Sequence, residues 1–341
     1  MDQRITINDV AEKSGVSIAT VSLVLNNRPG VSQATRTRVI GIAEALKYPF
    51  KGGITRAARL ENLGMVVKSE PNIPPHANPF YSKVIMGIEE ACRRNEINLL
   101  FATLPVNEDN HPTDIPSLLS SSLPDGLLMV GAFVDETIIA ATSRRKLPIV
   151  LVDAYSDRGN YDAVVSENFG AAYQGVEYLL QKGHCHIAFA GSEVNAYPSL
   201  RDRRNGYLRA LKDHNITDVY TADYNIMKSS GEAEITALIY EHPEITAILG
   251  VNDNVAASVI SLLQGLGKRV PEDFSVIGYD DSIFAIRCSP ALTTMHVDTE
   301  TMGRAAVQLL SMRLEHPESA CMSMTIHPTL VERQSVSIPR S

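Results

Sequence analysis

Residues 14–26 read SGVSIATVSLVLN, and this short stretch decides how the chain begins. Gly15 sits where one helix must stop and the chain must turn, because glycine takes positive φ without a Cβ penalty. Ser17 has the position and chemistry of an N-cap, its hydroxyl free to accept from the amide of Ala19 or Thr20. Upstream, Thr6 plays the same part for TINDVAEK, with Asp9 placing a negative charge in the first turn. The stretch therefore predicts helix, tight turn, second helix. At about 100° per residue, Val21, Val24 and Leu25 share one face of the second helix, which can pack on Val10, Ala11 and Val16. Ile18, Ala19, Ser22, Leu23 and Asn26 share the other face and look outward at a partner. Ser32 caps a third helix through ATRTRVIGIAEALKY, where Val39, Ile42, Ala43 and Leu46 recur at helical spacing. Three short helices in succession make a helix-turn-helix bundle.

The charge is divided along the chain. Its 341 residues carry a net −8, but residues 1–60 hold nine Lys/Arg against four Asp/Glu, a net of +5. The remainder holds 22 against 35, a net of −13, so a basic end sits on an acidic body. With 44% hydrophobic and 21% charged residues the composition is that of a globular protein of two or three domains. The opening MDQRITINDV has no apolar signal core, and no run approaches the 18 apolar residues of a membrane span. A cytoplasmic location is expected. Cys92, Cys185, Cys288 and Cys321 are scattered singly, which suggests buried free thiols in a reducing compartment.

PFKGGITRAARLEN, rich in Gly and Arg, reads as a connector. From Leu63 the pattern changes to apolar runs at 63–67, 97–104, 126–132, 148–154, 163–167, 186–191, 247–252, 274–281 and 292–298. Amphipathic stretches such as YSKVIMGIEEACRRN and NFGAAYQGVEYLLQKG separate many of them. Continuous apolar strands between helices imply α/β architecture with parallel sheets covered on both faces. The strands are too many for one comfortable sheet. Loop-like breaks at 155–162 and 282–291 suggest two lobes joined by crossings of the chain. The domains expected are a headpiece at 1–49, a hinge or linker at 50–61, and a two-lobed ligand-binding and dimerisation body at 62–341.

In open α/β sheets, ligands bind beyond the carboxyl ends of the strands. Asp153 falls at one such end, Asn252 and Asp253 at another, Asp280 and Asp281 at a third, and Asn78-Pro79-Phe80-Tyr81 follows the first strand. Arg203 is expected just before a helix beginning near Asn205. Phe80, Tyr81, Asp153, Arg203, Asn252 and Asp280 together suit a small polar, hydroxylated ligand. Each has a plainer alternative, which for Arg203 is to hold the lobes together by pairing with Asp202 or Asp153. Asp153 and Asp280 could bond lobe to lobe, Asn252-Asp253 could cap the helix VAASVISLLQGLG, and Phe80 and Tyr81 could be core aromatics.

TINDVAEKSGVSIATVSLVLNN with VSQATRTRVIGIAEALKY resembles the DNA-binding headpiece of the LacI/GalR family of bacterial transcription regulators. The body resembles that family in NPFY (78–81), LVDA (151–154), Arg203-x-x-Gly206-Tyr207, ND (252–253), PEDFSVIGYDD (271–281) and LTTMHVDTETMG (292–303). The resemblance runs from Thr6 to Gln334. It implies a body like the periplasmic sugar-binding proteins, a homodimer, a double-stranded operator and a small effector, either an inducing sugar or a nucleobase-type corepressor. It places Thr6, Ser17, Ile18, Ala19, Thr20, Ser22, Leu23 and Asn26 at the DNA. Arg36, Arg38 and Lys47 read as solvated helix charges, with a phosphate contact as the alternative for each. Two positions depart from the family pattern. Leu23 stands where a basic residue often reads a base edge, and leucine offers only apolar contact. Ala58 stands where the hinge helix usually carries a leucine wedged into the minor groove, with Leu60 two residues on.

Nothing points to an enzyme. His184-Cys185-His186 opens a strand on which alternate side chains diverge, against a shared metal. Gly265-Leu266-Gly267-Lys268 is neither a phosphate loop nor a dinucleotide fingerprint, and reads as a helix end. No cofactor and no metal are expected. A transporter's solute-binding protein, the rival class, would lack the basic headpiece. The tail after LVERQSV has no heptads for a coiled-coil tetramer.

Overall fold

The structure, a computed structural model, describes residues 5–26, 28, 30–46, 48, 60–70, 73–107, 110–143, 147–158, 160–191, 196–223 and 231–340. Between residues 59 and 60 the chain divides into two compact units.

The first unit is built from α1 (Ile7–Ser14), α2 (Ile18–Leu25) and α3 (Gln33–Ala45). Asp9 Oδ2 accepts from both the amide and the hydroxyl of Thr6, at 2.7 and 2.8 Å, and so starts α1. Gly15 ends it at φ 64°, the left-handed conformation the turn requires. Ser17 Oγ accepts from the Thr20 amide at 3.1 Å to begin α2, and Ser32 Oγ from the Thr35 amide at 3.3 Å to begin α3. Val10, Val21, Val24, Val39 and Ala43 close a small core. Each fully buried valine contributes about 1.5–3 kcal/mol through lost apolar surface, which is how three short helices hold together.

The second unit holds two six-stranded sheets. The first lobe has the order β11-β5-β4-β3-β1-β2, from β1 (Asn62–Ser69), β2 (Asn98–Pro105), β3 (Gly126–Val130), β4 (Ile149–Val152), β5 (Asp162–Ser166) and β11 (Ser323–Ile326). All its pairings are parallel, with Leu63 opposite Leu99 and Leu127 opposite Ile149. Helices α4 (Pro79–Arg94), α5 (Glu136–Thr142) and α11 (Thr299–Glu315) accompany it, and Arg304 of α11 donates to Glu90 of α4 at 3.0 Å. The second lobe has the order β12-β10-β9-β8-β6-β7, from β6 (Ile187–Ala190), β7 (Tyr220–Ala222), β8 (Ala247–Gly250), β9 (Ser275–Asp280), β10 (Thr293–His296) and β12 (Thr329–Val331). Among the described strands of this lobe only β12 runs antiparallel, Leu330 opposite Met295. Helices α6 (Asn168–Gln181), α7 (Pro198–Asp213), α8 (Glu232–Glu241), α9 (Asp253–Gly265) and α10 (Ile283–Arg287) share its core.

Several expectations need correction. The chain passes between lobes at 167, 297–298 and 327–328, not at the breaks read from 155–162 and 282–291. The true crossings are short and follow directly on strands, so nothing in their composition marks them. β7, β11 and β12 fall outside the expected runs; they are three or four residues long, and β11 and β12 lack an apolar run. The free thiols are not uniformly buried. Cys92 is buried, but Cys185 and Cys321 are exposed, each just before a strand begins. Ala58, Lys47 and nearly all of the expected hinge lie outside the described residues. Leu60, the other wedge considered, is buried.

Candidate functional site

Two sites follow from this architecture. On α2, Val21, Val24 and Leu25 are buried, whereas Ile18 is 50% and Leu23 39% exposed. Ala19 and Asn26 are exposed beside them and Ser22 is half-buried. Two large aliphatic side chains thus stand in solvent on a helix of eight residues. Several expected contact residues also serve the headpiece itself. The Ser17 and Thr20 hydroxyls lie 2.9 Å apart, and the Asn26 side-chain amide donates to the Ser22 carbonyl at 2.9 Å. Arg36 is not a solvated charge, since it donates to the carbonyls of Arg28 and Val24 at 2.6 and 3.4 Å and ties the following loop to α2. Arg38 is exposed.

The second site lies where the carboxyl ends of both sheets meet. Arg203 is at its centre and is buried. It is not ahead of a helix but inside α7, which begins at Pro198, because proline suits the first helical turn. Gly206 lets α7 approach α6, for a Cβ there would come within 2.1 Å of the Phe169 carbonyl oxygen. That approach brings Arg203 to Asn168 at the start of α6. Nε donates to Asn168 Oδ1 at 2.8 Å, Nη1 to the Val251 carbonyl at 2.7 Å, and Nη2 faces Asp280 Oδ1 at 3.2 Å. The guanidinium lies over the ring of Tyr279, its Cζ 3.6 Å from the centroid.

Asp280 stands at φ 104° and Asp281 at φ 57°, and the two side chains diverge. Asp281 is held by Arg333 at 2.6 Å and His296 at 3.0 Å. Asp280 Oδ1 is shut off from solvent and accepts no hydrogen bond among the described residues; Arg203 meets it as an ion pair only. Burial pushes the Asp280 carboxyl up to about 7, against the pull of Arg203. Asn252 Oδ1 accepts from the Val255 amide at 2.9 Å, so the plainer capping reading accounts for it. Asp253, fully buried beneath, accepts from the Ser282 amide and the Thr294 hydroxyl, and burial raises it to about 6.

Asp153, at φ 46°, opposes this group from the first lobe. It is buried, accepts from the Tyr81 hydroxyl at 3.0 Å, and is raised by burial against the influence of Arg203. Asn78 caps α4 and so presents Tyr81, while Phe80 is half-buried with its ring edge-on to Tyr81 at 5.3 Å. The structure therefore groups Tyr81, Asp153, Arg203 and Asp280, and leaves Asn252 as a cap. Sequence reasoning missed Lys68, Tyr155, Asn168, Tyr197 and Tyr279. Lys68 was detectable as a lone cation closing the apolar run LGMVV; it is buried, bonded to Asn110 at 3.0 Å and paired with Glu70 at 2.9 Å. Among the described residues no three His, Cys, Asp or Glu side chains are placed to hold a metal, and no helix is long and apolar enough to cross a membrane.

Residues 6–49 match the family model for bacterial regulatory proteins of the lacI family, and residues 176–336 that for a periplasmic binding protein-like domain. The HTH-type transcriptional repressor PurR of Vibrio atlanticus (strain LGP32) is 30% identical over 342 residues, spanning 97% of this chain and 98% of the relative. The structure of a transcriptional regulator CelR–cellobiose complex is similar at TM-score 0.67 and 26% identity, over 97% of this chain and 100% of that one. The lac repressor dimer bound to operator and the anti-inducer ONPF has TM-score 0.65 over 98% of this chain and 100% of that one; at 23% identity the likeness is one of fold. Headpiece and body together define a DNA-binding transcriptional regulator. The chain belongs to the lacI family of bacterial regulatory proteins.

Proposed function

We propose that the chain is a repressor that binds a pseudo-palindromic operator as a homodimer and answers to a small polar effector, a sugar, in the cleft between its lobes. The headpiece of residues 1–49 enters the major groove with α2, and Thr6, Ser17, Ile18, Ala19, Thr20, Ser22, Leu23 and Asn26 lie at the DNA. Residues 50–61, Ala58 among them, form the hinge, and residues 62–341 bind effector and dimerise. Closed two-fold symmetry in the protein matches two-fold symmetry in the operator. Phe80, Tyr81, Asp153, Arg203 and Asp280 line the effector site, and Asn252 serves it by capping α9.

The observation that carries the sugar reading is the Arg203–Asp280 pair. A planar donor and a buried carboxylate whose Oδ1 accepts no hydrogen bond among the described residues stand side by side at the end of β9. Vicinal hydroxyls can accept from the first and donate to the second, using both partners at once. A nucleobase acting as corepressor is the second reading, favoured by the rings of Phe80, Tyr81 and Tyr155 at the same cleft. Calorimetry with a panel of sugars and nucleobases, followed by operator titration with and without each hit, tests both. A sugar that binds and changes operator affinity supports the first reading, and a nucleobase that does so replaces it. Hits that leave operator affinity unchanged would overturn effector control through this cleft.

A further inference from the structure

Tyr197 belongs to the second lobe, immediately before α7, yet its side chain is spent on the first. Its hydroxyl lies 3.1 Å from the Gly131 carbonyl and 3.1 Å from the Asp153 carbonyl, and donates between them. Those oxygens close β3 and β4, at the strand ends where a ligand of the first lobe finds its acceptors. The Tyr197 ring meets Tyr155 edge-on at 5.2 Å, and Lys68 Nζ stands 5.3 Å from its centroid. Lys68 is equally far from the Tyr81 ring, so one buried ammonium binds a tyrosine from each lobe. Burial and the neighbouring Asp153 keep the Tyr197 phenol protonated and therefore a donor.

We propose that Tyr197 is an autoinhibitory latch: its phenol holds the lobes together and fills first-lobe acceptors that an effector hydroxyl would otherwise use. Among the described residues Tyr279 also makes a tyrosine contact across the lobes, its hydroxyl 3.3 Å from Ser166 Oγ and 3.3 Å from the Glu167 carbonyl. That contact lies beside the crossing of the chain at residue 167, where the lobes are already joined covalently. Tyr197 reaches across the cleft instead, so its hydroxyl sets how readily the lobes separate. The latch rests on the cleft being the effector site, but lobe separation is measurable without any small molecule.

Exposed thiols on the two lobes, Cys185 on the second and Cys321 on the first, take spin labels in the full chain carrying Cys288→Ser, with Cys92 buried. Diluting labelled with unlabelled chain isolates the pair within one molecule. Pulsed dipolar spectroscopy should show one distance in the unsubstituted background and a second population in Tyr197→Phe, which keeps the ring and loses the donor. Lys68→Met, which leaves the phenol in place, should produce the same second population at lower occupancy. An unchanged single distance in Tyr197→Phe overturns the latch. Should Tyr197→Phe lose cooperative melting, an unchanged distance in Lys68→Met overturns it. A ligand panel without hits would sink the effector reading and the autoinhibitory role with it, and leave standing only that Tyr197 holds the lobes together.

Discussion

Asp280 Oδ1 stands 3.2 Å from Arg203 Nη2, and the guanidinium it faces lies on the ring of Tyr279, its own neighbour in sequence. One strand end thus supplies both the counter-charge and the aromatic platform for a single buried arginine. From this arrangement Arg203 is a structural member of the second lobe as well as the proposed ligand donor.

Arg203→Ala should therefore cost stability in addition to effector affinity. Removing one partner of a buried pair leaves an uncompensated charge, worth about 3–5 kcal/mol, reduced here because Asp280 can take up a proton instead. Calorimetry should find a lowered melting temperature, with the loss larger at pH 8 than at pH 6. Adding Asp280→Asn should restore part of it. An Arg203→Ala chain with the melting temperature of the parent would show that the pair carries no stability.

The contribution of Asp280 and Asp253 to stability should fall as pH rises from about 4 toward 7. An ordinary aspartate ionises near ~3.9 when unfolded, whereas burial holds Asp280 near 7 and Asp253 near 6 in the folded chain. Across that interval the unfolded chain has released protons that the folded chain keeps, so rising pH favours unfolding. Asp280→Asn should flatten the dependence of melting temperature on pH between 5 and 7. The same slope in parent and variant would remove Asp280 from the account.

Binding to a specific operator duplex should weaken steeply with salt, although the whole chain is acidic. The lysines and arginines of the +5 segment release counterions from phosphates, and the acidic body does not reverse that local exchange. Titration at several salt concentrations gives the slope; a flat dependence would contradict binding through the headpiece.

Leu23→Arg should alter base preference at one symmetric pair of operator positions, by ~1–3 kcal/mol for each bidentate arginine–base pair that forms. Leu23 is 39% exposed on the outward face of α2, so the melting temperature should hold. A selection of operator variants that returns the parental preference would place Leu23 away from the base edges.

The headpiece is legible residue by residue because its signals are local. A cap bonds a backbone amide two or three residues away, a helical face repeats every three or four, and Gly15 fills a turn that its immediate neighbours define. The strand ends of the body are legible for the same reason, and Asp153 and Asp280 stand out from where their apolar runs stop. The start of α7 is less so, since Pro198 marks it only when proline is read as a first helical residue rather than as a breaker.

The order of elements, the divided charge and the carboxylates at the strand ends are all written in the sequence, because they follow from short-range geometry and composition. What those groups face was settled by the folded arrangement alone. Arg203 meets Asp280 across 77 positions in the numbering, Tyr81 meets Asp153 across 72, and Tyr197 reaches Gly131 across 66. Such pairings depend on how sheets stack, on Gly206 admitting α6 against α7, and on three crossings that bring two lobes face to face. No local periodicity encodes them, because the free energy that selects them comes from burying both sheets at once.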